Sequence, residues 1–263
     1  TADQPVTGAD LGGLAKRGAT TLADYPAVVY VGENHPLLPV ALFAAAWRGV
    51  PFVPVNYRLD DAQLNSLVER QPDALVLADP ATAPRVTAGK RVVVFDEWLA
   101  QIPADAEVGG APFDDDEVAV ILYTSGTTAA PKSALLRHRH LMAYLLGTVE
   151  FGGAGDDEAV LVSVPPYHVA GLANMLSNTF AGRRIVYLQS FDPKVWLDTV
   201  RDEHSPEAQG RDPREDRHGG EVYVYRRAGQ PCLVCGSEVR TGMLEGRNMY
   251  WCGRCQRRKR AAA

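Results

Sequence analysis

Short apolar runs alternate with helix-like stretches over residues 1–204 of this 263-residue chain, and this alternation limits the fold more than any other feature. The apolar runs are rich in β-branched residues: AVVYV, PFVPVN, ALVLAD, RVVVFD, EVAVILY, AVLVSVPPY and RRIVYLQ. Segments of roughly ten to fifteen residues with helical periodicity follow most of them, as in PLLPVALFAAAWRG and DDAQLNSLVERQ. Strands that alternate with such helices predict an α/β fold with a mainly parallel sheet and flanking helices.

The alternation stops after His204, although another strand would be expected there. The segment SPEAQGRDPREDRHGG has almost no apolar residues and no periodicity, which is typical of a solvated linker. The charge balance changes at the same place: residues 1–204 carry 15 basic and 25 acidic side chains, and residues 205–263 carry 12 and 7. We therefore predict an α/β domain over 1–204, a linker over 205–221 and a separate basic module over 222–263.

All four cysteines lie in the basic module as two C-x-x-C pairs. Two such pairs let two short turns each present two thiolates to one tetrahedral ion. The spacing therefore predicts a zinc site formed by Cys232, Cys235, Cys252 and Cys255. The segment between the pairs, GSEVRTGMLEGRNMYW, is typical of two short strands joined by a turn near Glu245–Gly246, so that the metal would clip a β-hairpin.

The sequence also predicts a compartment. The longest apolar run, LLPVALFAAAW at residues 37–47, is too short to span a bilayer. The first residues, TADQPVTGAD, lack the basic region and apolar core of a secretory signal. Cysteines grouped as metal ligands are typical of a reducing compartment. We therefore expect a cytoplasmic protein with no membrane partner.

The segment YTSGTTAAPKS at residues 123–133 directly follows the apolar run EVAVILY. Its hydroxyl groups, the backbone N–H groups around its glycine and its lysine could surround phosphate oxygens. It is not a Walker A loop, because Pro131 replaces the second glycine of that motif and has no N–H to donate. From the residues alone, a polar turn between a strand and a helix remains an alternative.

YTSGTTAAPKS closely resembles the signature loop, YTSGTTGxPKG, of the adenylate-forming superfamily of acyl- and aryl-CoA ligases, luciferases and peptide-synthetase adenylation domains. The resemblance implies that the loop holds the triphosphate of ATP, which is used with Mg²⁺. Ala129 and Ser133 stand where the family has glycine, and a Cβ there restricts the backbone. The residues to which the family role carries over are Thr124, Ser125, Gly126, Thr127, Thr128 and Lys132.

SVPPYHVAGL at residues 163–172 resembles the next motif of the same family, a turn beside the acyl pocket. The resemblance implies that His168 and Gly171 line the pocket for a carboxylic acid that is joined to CoA; a structural role for the histidine is the alternative. Family members are about twice as long, and their later motifs supply the adenine contact, a ribose-binding aspartate and a catalytic lysine. None of these is visible here, so we expect a truncated domain without full adenylation activity.

The segment VYRRAGQPCLVCGSEVRTGMLEGRNMYWCGRCQ resembles the C-terminal zinc finger of the formamidopyrimidine-DNA glycosylase and endonuclease VIII family. The resemblance implies that Arg247, on the hairpin, contacts a DNA phosphate. Glycosylase chemistry in that family uses an N-terminal Pro-Glu, whereas this sequence begins Thr1-Ala2, so base excision is not expected. The Arg-rich end QRRKR either adds DNA contacts or is a solvated tail.

Two hypotheses of different classes follow. The chain is an incomplete AMP-forming carboxylic acid ligase, or it is a nucleic-acid-binding zinc module with the α/β part as a passive scaffold. In both cases the junction lies near residues 204–206. The sequence is compatible with a natural fusion, an engineered chimera and an error of gene or sequence assembly.

Overall fold

The computed structural model describes most of the chain. The ranges described are 6–106, 109, 114–124, 131–155, 158–203, 228–232, 235–244 and 247–254, with backbone alone for 201–203 and 244–249. The chain divides into two compact units, residues 1–200 and 201–263. The division into 1–204, 205–221 and 222–263 that the sequence suggests stays a prediction.

The helices are α1 Gly8–Gly18, α2 Leu38–Arg48, α3 Asp61–Val68, α4 Phe95–Ala100, α5 His138–Thr148, α6 Val169–Ala181 and α7 Pro193–Glu203. The strands are β1 Val28–Val31, β2 Phe52–Val55, β3 Leu75–Ala78, β4 Arg91–Val94, β5 Val118–Thr124, β6 Lys132–Arg137, β7 Ala159–Val162, β8 Arg184–Tyr187, β9 Val239–Leu244 and β10 Arg247–Cys252. Short 3-10 helices cover Ala19–Leu22 and Ala83–Arg85. In the part of the chain described, no helix is both long enough and apolar enough to cross a bilayer.

A six-stranded sheet forms the centre of the N-terminal unit, in the order β4-β3-β1-β2-β5-β6. The first five strands are parallel, and β6 runs antiparallel to β5 at one edge. The predicted α/β fold with a mainly parallel sheet and flanking helices is therefore confirmed. The carboxyl ends of β1, β2, β3 and β5 share one edge of the sheet, which is where ligands bind in folds of this type.

The three central strands β1, β2 and β3 are buried along their whole length. Alternate side chains point to opposite faces, so Tyr30 and Phe52 join a core with α2 and α4, whereas Val29 and Val53 join a second core with α3. Burial on both faces explains why these strands are continuous apolar runs in the sequence.

Local signals fix the helix ends. Thr7 and Asp10 form a capping box at the start of α1, because the Thr7 hydroxyl accepts from the Asp10 N–H at 3.1 Å and the Asp10 carboxylate accepts from the Thr7 N–H at 3.3 Å. The Asp60 carboxylate accepts from the Gln63 N–H at 2.8 Å and caps α3. Helix α2 ends at Arg48 and is capped by Gly49, whose φ of +77° favours glycine.

A second, smaller layer follows in the chain. Strands β7 and β8 pair in parallel, and α6 forms the crossover between them. Helix α7 then begins after Asp192, whose carboxylate accepts from the Val195 N–H at 2.8 Å. Among the described residues, no third strand joins β7 and β8.

The described part of the C-terminal unit is a β-hairpin. Strands β9 and β10 are antiparallel, with Leu244 opposite Arg247, so the predicted hairpin is confirmed. Glu245 and Gly246, where the turn is predicted, lie outside the described residues. Before the hairpin, the Gly236 N–H donates to the Cys232 carbonyl and the Cys232 N–H donates to the Ser237 carbonyl, both at 2.8 Å.

Candidate functional site

The structure brings the two ends of the predicted phosphate loop together. Thr124 ends β5, Lys132 begins β6, and the two residues face each other in the antiparallel register. The Thr124 hydroxyl donates to the Lys132 carbonyl at 3.3 Å, and both residues are exposed. The remaining predicted residues, Ser125, Gly126, Thr127 and Thr128, lie outside the described residues.

This loop joins two strands, so the interpretation of the segment as a turn between a strand and a helix is wrong. Residues 132–137 form β6, and α5 begins only at His138. The sequence KSALLR mixes polar and apolar residues because β6 is a partly exposed edge strand, and a short mixed run gives little strand signal.

Arg70, in the turn that follows α3, contacts the described end of the loop. Its guanidinium Nη1 donates to the Pro131 carbonyl at 2.7 Å, and its Cζ lies 5.5 Å from the centre of the Tyr123 ring. The neighbouring Gln71 side chain donates to the Tyr123 hydroxyl at 3.1 Å. Sequence reasoning missed these residues, because Arg70 is 61 positions from Pro131 and no local pattern links them.

His168 is exposed and occupies the N-cap position of α6. Its carbonyl accepts from the Gly171 N–H at 2.9 Å, which closes the first turn of the helix. Gly171 is buried, and a Cβ there would lie 2.5 Å from the Pro165 carbonyl oxygen, so close approach of two backbone segments requires glycine. The structure therefore gives Gly171 a packing reason that is independent of any substrate.

An aromatic row connects His168 to the carboxyl end of β2. The Tyr167 and His168 rings lie 4.4 Å apart, and the Tyr57 and Tyr167 rings lie 5.7 Å apart with an edge-to-face geometry. The Arg58 guanidinium lies 5.4 Å from the centre of the Tyr57 ring. Burial raises the pKa of Tyr167, so this hydroxyl stays neutral and is a hydrogen-bond donor. Because β2 and β5 are adjacent, this row lies on the same edge of the sheet as the phosphate loop.

Gly171 also lines a small apolar pocket with Phe52, Val162, Met175 and Tyr187. Its free space is about that of one water molecule, too little for an aromatic or fatty acid. The Tyr187 hydroxyl is buried without a hydrogen-bond partner among the described residues, and burial raises its pKa. The exposed His168 does not line this small pocket, and the role of His168 and Gly171 at an acyl site stays a prediction.

The hairpin brings three of the four predicted zinc ligands together. The Sγ atoms of Cys232, Cys235 and Cys252 all lie within 4.8 Å of one another. The Cys235 and Cys252 sulfurs are 3.5 Å apart, which is longer than a disulfide bond and close to the ~3.8 Å between two sulfurs on one tetrahedral zinc ion. The donor set fits zinc. Cys255 lies outside the described residues.

Arg247, the predicted DNA contact, is the first residue of β10. Its backbone pairs with Leu244 beside the hairpin turn, and its side chain lies outside the described atoms. A residue at this position is at the end of the hairpin opposite Cys252, which ends the same strand.

Comparison with known proteins finds relatives of two kinds. Feruloyl-CoA synthase from Amycolatopsis sp is 31% identical over 183 residues, a match that covers 67% of this chain and 36% of that protein. The structure of O-succinylbenzoate coenzyme A synthetase from Bacillus subtilis in complex with AMP superposes with a TM-score of 0.64 at 21% identity, covering 77% of this chain and 55% of that one. The chain thus spans about a third of the length of the curated synthase.

A second, short match is of a different kind. Endonuclease 8 1 from Mycobacterium tuberculosis is 66% identical over 35 residues, which is 13% of this chain and 13% of that protein. By contrast, the profile of the family described as AMP-binding enzyme matches residues 4–205. Since this match covers well over half of the chain, the protein belongs to the AMP-binding enzyme family.

Proposed function

We propose that the N-terminal unit is the nucleotide-phosphate-binding portion of an AMP-forming ligase that joins carboxylic acids to CoA. The pairing of Thr124 with Lys132 at the base of the loop carries this proposal. The pairing places Thr124 and Lys132 beside each other at the base of a loop whose sequence provides further hydroxyls, Ser125, Thr127 and Thr128, and Gly126. Anionic phosphates accept hydrogen bonds from such groups.

A side-chain contact holds the described end of the loop in place. The Arg70 contact to the Pro131 carbonyl is charge-assisted, and it holds the residue that precedes Lys132. Lys132 therefore extends from a strand end that is already held in place, which lowers the backbone entropy lost when its ammonium group binds phosphate. In this proposal His168 and Tyr167 face the acid, because they lie on the same edge of the sheet and His168 is exposed.

The chemistry of this class requires in-line attack of the carboxylate on the α-phosphate, with Mg²⁺ and cationic groups neutralising the charge that develops. The described residues of the N-terminal unit offer Lys132 and Thr124 at the loop, and Arg58 on the same sheet edge. They provide phosphate binding and orientation. We propose that the adenine contact, the ribose contact and the catalytic lysine come from a further part of the fold, so that this chain alone does not complete adenylation.

ATP binding and ATP–pyrophosphate exchange test the two parts of this proposal separately. Mg²⁺-ATP should bind to the chain, and Lys132→Ala should weaken binding about tenfold through loss of a charge-assisted contact. Lys90→Ala, which removes an exposed lysine paired with Asp73, is the matched control and should leave binding unchanged. Exchange with a panel of carboxylic acids should stay at background. Undetectable ATP binding contradicts the first part, and acid-dependent exchange that Lys132→Ala abolishes contradicts the second.

For the C-terminal unit we propose a zinc-stabilised module that contacts DNA phosphate. The convergence of Cys232, Cys235 and Cys252 supports the metal, and the proposal adds Cys255 as the fourth ligand. A closed set of four thiolates leaves no open position for catalysis, so the zinc would be structural. Nine basic residues against two acidic ones from Val222 onward suit a phosphate contact, with Arg247 held at the hairpin end.

A further inference from the structure

The two faces of the C-terminal hairpin differ in composition. Val239 and Cys252 pair across β9 and β10 and are both buried, so they form the inner face. Arg240 and Trp251 are the next pair, and because side chains alternate along a strand, they lie on the opposite side. Arg240 is exposed and Trp251 is partly exposed. The outer face of the hairpin is formed by Arg240, Gly242, Trp251 and the adjacent Gly253.

Two glycines let the planar groups of the outer face lie close to the backbone. The Cη2 and Cζ3 atoms of the Trp251 ring lie 3.3 Å from the position that a Cβ would take on Gly242. The Arg240 guanidinium carbon lies 3.3 Å from the equivalent position on Gly253. A larger residue at either place would push the indole or the guanidinium away from the hairpin. The outer face therefore presents an aromatic plane and a guanidinium plane from two directly paired residues.

The positive charge of the outer face has no acidic partner in the described part of the chain. The Arg240 guanidinium makes no hydrogen bond or ion pair with any residue that the structure describes. Arg254, directly after Gly253, is also exposed. A guanidinium binds phosphate and stacks on planar rings, and an indole adds a large stacking surface. The outer face therefore suits a ligand that is both anionic and aromatic.

We propose that the outer face binds unpaired bases of single-stranded DNA. A base stacks on the exposed part of the Trp251 indole, and Arg240 contacts a neighbouring phosphate. Stacking of this kind tolerates any sequence, because every base has a π-face. Duplex DNA fits this face less well, because its bases are stacked on one another. This binding mode rests on the proposed DNA contact of the C-terminal unit, and it names the form of DNA that the unit takes.

The outer face adds a second contact to the one predicted at the end of the hairpin. Arg247 begins β10, and Trp251 lies four residues further along the same strand. At the usual rise of a strand this separation is about 13 Å. A single DNA strand that runs along the hairpin would reach both places, so each contact would add to the affinity of the other.

Two DNA strands of equal charge test this proposal on the unmodified full chain. One is a labelled oligothymidylate of about ten nucleotides, and the other is an abasic strand of the same length. Both carry the same phosphates, so their electrostatic attraction to the basic residues is the same and only the bases differ. The oligothymidylate should bind about tenfold more tightly, which is the effect of stacking one base on an aromatic side chain.

Variants locate the effect on the outer face. Trp251→Ala should remove the preference for the oligothymidylate, whereas Trp251→Phe keeps a ring and should retain most of it. Gly242→Val keeps both planar side chains but displaces the indole, so it should also lower the preference. Met243→Ala, at a residue 73% exposed on the other face, is the matched control and should keep it. Hydrogen exchange at residues 239–244 shows whether each variant retains the hairpin.

The outcomes separate this proposal from the phosphate contact. Equal affinity for the oligothymidylate and the abasic strand would overturn base stacking, even where both bind in a salt-dependent way through Arg247. A preference that survives Trp251→Ala in a variant with an intact hairpin would also overturn it. If neither strand binds and a duplex does not bind either, the proposed phosphate contact fails together with the stacking face.

Discussion

The N-terminal unit buries three whole strands and parts of several helices, whereas the buried cluster of the C-terminal hairpin contains only Cys232, Val239 and Cys252 among the described residues. Two of those three residues are cysteines. The core of the first unit has two layers on the two faces of a sheet, so apolar burial contributes much of its stability. A hairpin with so small a core needs a further source of stability. In the zinc-bound module that we propose, the metal held by these buried cysteines would be that source.

Removing the proposed zinc ion should have the largest effect, because the stability of the hairpin should depend on it and that of the N-terminal unit should not. One zinc per chain is expected, and Cys252→Ser should abolish zinc binding and unfold the hairpin, because structural zinc contributes about 10–16 kcal/mol of apparent binding free energy. The melt of the N-terminal unit should not change. Elemental analysis and hydrogen exchange at residues 239–244 measure the two effects.

The control is Met243→Ser on the same hairpin, since Met243 is 73% exposed and touches little. It should keep full zinc content. Protein purified without chelator that contains no zinc, or a Cys252→Ser variant that keeps its zinc, would show that the thiol cluster is not a metal site.

The sequence predicted the central fold well for a physical reason. Strands buried on both faces, such as β1 and β3, are continuous apolar runs and are recognised by composition alone. Strand β6 escaped detection because it is a sheet edge with exposed residues, and α1 escaped because glycines make up part of it. The local spacing of the cysteines predicted the convergence of Cys232, Cys235 and Cys252, since the first two lie just before β9 and the third ends β10.

The surroundings of the candidate phosphate loop were only partly predictable. Thr124 and Lys132 belong to one local motif, so the sequence indicated both of them. The contacts of Arg70 with Pro131 and of Tyr57 with Tyr167 join residues far apart in the chain, and no periodicity or spacing encodes them. Tertiary contacts of this kind depend on the strand order, which the alternating pattern leaves open.

A core truncation should affect the N-terminal unit alone. Phe52 is 1% exposed and packs against Tyr30 at a ring separation of 6.3 Å, so Phe52→Ala should lower the free energy of unfolding by about 3–5 kcal/mol. Phe191→Ala, at a residue 57% exposed, should change it by less than about 0.5 kcal/mol. Urea denaturation followed by tryptophan fluorescence measures both. Zinc content that falls with Phe52→Ala would mean that the two units do not fold independently.

DNA binding should show a smaller effect, confined to the C-terminal unit. The zinc-loaded full chain should bind a labelled duplex weakly and without sequence preference, with affinity that falls as salt rises. Arg247→Ala should weaken binding at every sequence and reduce the salt slope by about 1. Arg91→Ala, at an exposed arginine on β4, is the matched control and should bind like wild type. Affinity indifferent to salt and to Arg247 would contradict a phosphate contact.

In mild acid, different groups titrate in the two units. The loss of stability in the N-terminal unit should be the smallest of the predicted effects. The His35 Nδ1 accepts from the Leu37 N–H at 3.0 Å, and its Nε2 lies 3.2 Å from Asp96. Burial lowers the pKa of His35 below its ordinary value of 6.5, although the Asp96 carboxylate opposes this shift. The unfolded chain therefore binds the proton more readily than the folded chain does.

The direction of the pH dependence follows from this difference in proton binding between the folded and the unfolded chain. Stability due to neutral His35 is fully present above pH 6.5 and is lost as the pH falls from 6.5 towards the lowered pKa of the folded state. His35→Gln should make the N-terminal unit less sensitive to pH over this window, whereas His140→Gln, at an exposed histidine, should keep the wild-type dependence. Urea denaturation at pH 5.5 and 7.5 measures the difference. Loss of zinc over the same pH range would instead indicate a change in the hairpin, because protons compete with a metal ion for its thiolates. An unchanged dependence in His35→Gln would assign the acid sensitivity of the first unit to its carboxylates.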